Sequence, residues 1–147
     1  MTDELQEKIT WQNINSSKEK GKILKGTIIA IETEKMKEQN ITCAIVDFKG
    51  IKIMIPATEM IPEGKNDKKI LRNMMGAEIN FIVIETDKVG EKAIASRIKA
   101  MERIKEINLK KLEVGDKIYS KVIGIWKKYI RVECVGIDFV IKAQDLQ

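Results

Sequence analysis

Four of the chain's seven aromatic side chains, Tyr119, Trp126, Tyr129 and Phe139, lie in its last third, beside Lys127, Lys128 and Arg131. Flat rings among cations can stack on unpaired bases, at about 1–3 kcal/mol per base, while the cations hold the phosphates. Trp126 and Tyr129 are separated by two residues, both lysine. That spacing puts a ring on each side of a short charged loop and favours a surface role for both.

The same inventory argues against bond-making chemistry. The chain has no histidine, which removes Ser-His and Cys-His nucleophile pairs, the usual zinc ligand sets and the commonest general base near neutral pH. It contains neither a G-x-x-x-x-G-K-[ST] nor a G-x-G-x-x-G motif, so phosphate-cradling nucleotide chemistry has no support. No carboxylate pair has a spacing that suggests acid–base work. Cys43 and Cys134 sit inside apolar strand patterns, as small core residues of a reducing compartment would. The expectation is no catalytic residue, no metal and no cofactor.

The net charge of +5 is uneven, since residues 99–147 hold 11 basic and 7 acidic side chains against 16 and 15 in residues 1–98. A basic surface of this kind attracts polyanions. The acidic opening MTDELQEK lacks an apolar leader and no apolar run is long enough to cross a bilayer, so a cytoplasmic protein without membrane contact is expected.

The elements that must position the rings occur twice. Residues 24–31 match 118–125 at an offset of 94, and VDFKGIKIMIPATEM from Val46 matches VECVGIDFVIKAQDL from Val132 at an offset of 86. The matches include Gly50 with Gly136, Ile55 with Ile141 and Ala57 with Ala143. The change in offset means a shorter loop in the second copy, and the repeat implies one β-rich module duplicated with its last copy incomplete.

Along the chain, residues 1–20 form an N-terminal helical arm, with Trp11 and Ile14 available for packing. Strands follow at GKILKGTIIAIETE, ITCAIVDF and IKIMI; Gly26 marks a bend and Lys49-Gly50 a turn. Pro56 ends the third strand, ATEMIPEGKNDKK gives a helical turn and then a loop, and GAEINFIVIETD and KAIAS are strands four and five around the turn at 88–91. Five strands with a long third connection suit a Greek-key barrel of the OB type. A linker helix spans about 97–112, and second-copy strands are expected at 117–126, 129–135 and 137–141. Phe48, Phe81 and Tyr119 are expected in cores. Phe139 is open to either face until the strand register is known.

This order resembles the S1 RNA-binding domain family, the OB-fold module repeated in ribosomal protein S1. The likeness rests on GKILKGTII at 21–29, GIKIMIPATEM at 50–60, GAEI through ETD at 76–87 and Ala95-Ser96-Arg97. Trp11 with Ile14, and Ser96-Arg97 with Ile107-Asn-Leu109, are similar to that protein's spacers. The resemblance implies an all-β fold with short helices: an S1-type five-stranded barrel at 21–97, a linker helix at 98–113 and a partial second S1-like unit at 114–147. Of the family's RNA face only Asp87 and Lys92 match in the first copy, where Thr42, Cys43 and Ala44 hold the aromatic places.

The expectation is therefore a non-catalytic protein that binds single-stranded RNA, in the setting of the ribosome, through Trp126, Lys127, Lys128, Tyr129, Arg131 and Phe139, with Asp87 and Lys92 as lesser candidates. The alternative is an OB-type protein-interaction module that docks on ribosomal or mobile-element machinery without touching RNA. The unfinished second unit leaves strand edges unpaired. Truncation, strand exchange in a homo-oligomer, completion by a partner, and packing of strands 117–141 onto the first copy as a hairpin extension all remain open.

Overall fold

The computed structural model describes residues 2–63, 66–142 and 144. Ala143, one member of the repeat match, lies outside them. Helix α1 (Asp3–Lys20) starts at Thr2, whose hydroxyl accepts the Leu5 N–H, and stops at Gly21, whose φ of +72° lets its N–H reach the Ser17 carbonyl. Trp11, Ile14 and Ser17 are buried. The Ser17 hydroxyl accepts the Val83 N–H at 2.8 Å, so the arm is docked along a strand.

Strands β1 (Leu24–Met36), β2 (Gln39–Phe48), β3 (Ile51–Pro56), β4 (Glu78–Asp87) and β5 (Lys92–Ser96) close into a ring in the order β1-β2-β3-β5-β4. β1 closes it by serving two partners: Leu24–Thr27 pairs with β4, and the stretch from Ile28 onward pairs with β2 across a bulge between Ile28 and Ala30. Gly26 sits where β1 crosses from one partner to the other. A Cβ there would lie 2.3 Å from Val46 Cγ1, so only glycine lets the strand pass this close. The core inside the ring holds Ile28, Val46, Ile53, Phe81 and Val83, with Phe48 and Phe81 edge to face at 5.9 Å.

Two short helices, α2 (Ala57–Met60) and α3 (Lys68–Arg72), fill the connection between β3 and β4. The sequence suggested only the first. Asp67 begins α3 by accepting the N–H groups of Lys69 and Ile70. Helix α4 (Arg97–Leu109) starts at Ser96, whose hydroxyl accepts the Lys99 N–H and donates to Glu59 at 2.6 Å. Among the described residues no helix is long and apolar enough to cross a membrane.

Strands β6 (Lys121–Ile125), β7 (Tyr129–Cys134) and β8 (Ile137–Lys142) form a separate antiparallel sheet. Its register repeats that of β1–β3. Ile28 faces Val46 and Val122 faces Val132; Phe48 faces Ile51 and Cys134 faces Ile137. The bulge recurs between Val122 and Gly124, and the turn at Lys49-Gly50 recurs at Val135-Gly136, all four with positive φ. The duplication read from the sequence is thus a duplication of backbone geometry.

The second copy departs from expectation at its start. β6 begins at Lys121, not at residue 117, and Tyr119 is 98% exposed where a core position was expected. The reason is in the first copy: Leu24–Thr27, equivalent to 118–121, is held by β4, and no equivalent of β4 pairs with 118–121 among the described residues.

Cys43 is fully buried and Cys134 partly so. Burial, helped by Glu34 and opposed by Lys52, pushes the Cys43 thiol up to about 11. Stability that depends on the neutral thiol is complete below the unfolded thiol's value of about 9, and is lost as pH climbs through about 11. At pH 8 a thiol reagent should modify Cys134 and spare Cys43. Mass spectrometry finding both sites modified under native conditions would contradict this.

Candidate nucleic-acid interface

The loop from β6 to β7 is closed by the Trp126 N–H donating to the Tyr129 carbonyl at 2.8 Å, which projects Lys127 and Lys128 into solvent. The Trp126 indole lies against β6. A Cβ on Gly124 would stand 3.2 Å from its ring, so the glycine makes room for it. The Arg131 guanidinium lies 6.0 Å from the ring centroid, and Trp126 is half-buried.

Tyr129 is 42% exposed and faces Lys142 across the β7–β8 pairing. Lys127, Lys128, Tyr129, Lys142 and Gln144 line a cavity of about 360 Å³. Three ammonium groups, one phenol ring and one carboxamide, with no carboxylate among the described lining residues, can take a phosphate together with a flat ring. The sequence reading missed Lys142 and Gln144. The signal was available in the Val135-Gly136 turn, because counting outward from it sets Lys142 opposite Tyr129.

Arg131 does not belong to this set. It is buried, donating to Asp138 at 3.0 Å and to both carboxylate oxygens of Glu63 at 3.2 and 3.3 Å. Its charge is consumed internally. Phe139 pairs with Val132, on the face of the sheet opposite to Arg131 and Tyr129. It is half exposed but does not line the cavity. Asp87 and Lys92 are in the first ring, paired across β4 and β5 beside a small cleft of about 70 Å³. Asp87 accepts the Gly90 N–H, which accounts for it as a turn residue.

The side of the second sheet that carries Arg131 is otherwise pressed on the first unit. Arg97, the first residue of α4, is fully buried. Its two terminal nitrogens reach Asp138 at 2.9 and 2.6 Å, Glu133 at 2.8 Å and the Met60 carbonyl at 2.7 Å. Burial alone would lower the guanidinium's pKa. The hydrogen bonds and charges of Asp138 and Glu133 outweigh that and hold it above its ordinary value. Ile123 inserts into the ring's core, and the Asn73 carbonyl accepts the Ile125 N–H at 3.4 Å. What stays open of this side is its end at Tyr129, Val140 and Lys142. No cluster of histidine, cysteine or carboxylate suited to a metal occurs among the described residues.

No family model matches the sequence, and no curated protein matches it.

Proposed function

We propose that this chain is a non-catalytic protein that binds single-stranded RNA, an OB-type module of the S1 kind with a second, partial unit that carries the contact surface. The observation that supports it most is the cavity of Lys127, Lys128, Tyr129, Lys142 and Gln144, where three cations surround an exposed phenol ring and none of the described lining residues is a carboxylate. Trp126 borders the same loop and offers one further stacking face. The ribosome and translation are the setting that the resemblance suggests.

The test is a titration with a short unstructured RNA at low and moderate salt. With three phosphate-neutralising lysines, log K should fall against log salt with a slope of roughly −2. Lys127→Ala with Lys128→Ala should flatten the slope, and Tyr129→Ala should weaken binding by about 1–3 kcal/mol at every salt concentration. Absence of binding at low salt, or binding indifferent to these three changes, sinks the reading.

A second reading is a protein-docking module of the same fold on ribosomal or mobile-element machinery. The outer face of the first ring favours it, with Cys43, Ile45 and Met54 packed together beside Glu32 and Glu34. Both glutamates are tied to Lys52, at 2.7 and 3.3 Å, which leaves that face few free cations for RNA. A protein partner retained after nuclease treatment would favour this alternative.

A further inference from the structure

The repeat defines what the open side of the second sheet was shaped to hold. In the first ring Ile28, Ala44, Val46, Ile51, Ile53 and Ile55 point inward and are covered by β4 and β5 through Ile79, Phe81, Val83, Ala93 and Ala95. Their equivalents in the second sheet are Val122, Ile130, Val132, Ile137, Phe139 and Ile141, all apolar. Val122 is 52% and Phe139 49% exposed, and Ile125 on the same side is 65% exposed. An apolar face of this composition is a docking surface rather than a scatter of surface residues.

The pairing edges specify the occupant further. Leu24–Thr27 pairs antiparallel with β4, whereas of the equivalent 118–121 only Lys121 is paired, with Glu133 of β7, and 118–120 have no partner strand among the described residues; Ile118 and Tyr119 are exposed. Lys52–Met54 pairs parallel with Lys92–Ile94 of β5. The equivalent Asp138–Val140 forms the outer edge of the second sheet.

We infer that the exposed part of this face, Val122, Ile125 and Phe139 beside the buried Val132, takes up an antiparallel β-hairpin with alternating apolar residues, the chemistry of Glu78–Ser96. One strand runs antiparallel to 118–121 and the other parallel to 138–140. The hairpin supplies main-chain partners to both edges and apolar side chains to the face between them, which is recognition by strand addition. It occupies the side of the sheet opposite to Tyr129 and Lys142, so it leaves the cavity open. Phe139 becomes a core residue of the completed unit, and Tyr119 becomes a strand residue.

The test is to titrate the whole chain with a synthetic peptide carrying the sequence of residues 76–97 and to follow amide hydrogen exchange. The expected result is uptake of one peptide per chain, with the amides of 118–121 and 138–140 slowed roughly ten-fold or more. Phe139→Asp, or Val122→Asp should the first fail to fold by circular dichroism, should abolish the slowing while leaving RNA binding intact. Three outcomes overturn the inference. One is no slowing at excess peptide. Another is slowing confined to 24–27, which would mean exchange into the first ring. The third is a dimer of the chain alone that Phe139→Asp dissociates, which would assign the face to a second copy.

Discussion

Arg97→Ala is expected to cost about 3–5 kcal/mol of stability, the penalty for breaking a buried ion pair and leaving its partners uncompensated. Arg97 has no solvent exposure and is the shared partner of Asp138 and Glu133, which themselves are nearly buried. Arg131 and Glu63 also bond into this group, but Arg131 satisfies only one oxygen of Asp138 and makes no bond to Glu133. The loss should be concentrated at the seam. Hydrogen exchange of β7 and β8 should accelerate before that of β1–β5, and chemical denaturation should change from one transition to two. Arg97→Lys keeps the charge but cannot present two parallel N–H groups to Asp138, so it should recover only part of the loss. A single unshifted transition for Arg97→Ala would show that the ion cluster does not hold the units together.

The second large effect should come from Gly136→Ala. The added Cβ would stand 2.2 Å from the Met101 carbonyl oxygen and 2.7 Å from the Lys105 nitrogen, both main-chain atoms of α4 that cannot step aside. The φ of Gly136 is also +83°, a region that costs an alanine about 1 kcal/mol. The clash adds about 1–3 kcal/mol. The molecule contains its own control. Gly50 occupies the same turn in the first ring at φ +93°, with open space where its Cβ would go. Gly50→Ala should therefore show the backbone cost alone, and the difference between the two midpoints measures how firmly the β7–β8 turn is seated on α4. Equal losses would mean the turn is free of the helix.

Much of the strand layout was legible because alternating apolar residues and turn residues coincide in this chain. β5 is Lys92–Ser96 as expected, and Pro56, Gly50 and Gly136 stand at the ends and turns they signal. The repeat was legible for the same reason, since positions that share a register share a chemistry. What could not be read were facts that depend on a distant partner. Residues 118–120 have the pattern of a strand, yet a strand end persists only where another strand pairs with it. Arg131 has the composition of a contact residue, but its position is that of Ile45, on the side of the sheet that turned out to face Glu63 and Asp138. Lys142 went unnoticed because it is thirteen residues from Tyr129 in sequence, and only the register brings them opposite.

The seating of Ile123 among the ring's own core residues has a practical meaning for anyone dividing this chain. The bulge that aims Ile123 at the ring also occurs at Ile29, where the same side chain is 54% exposed. One isoleucine is a plug and its counterpart is bare surface. A fragment ending at Leu109 would lose the plug and both carboxylates that neutralise Arg97, leaving a dent and an orphaned cation in what looks on paper like an autonomous ring. The shortest piece that can be expected to fold as seen here includes the second sheet through Lys142.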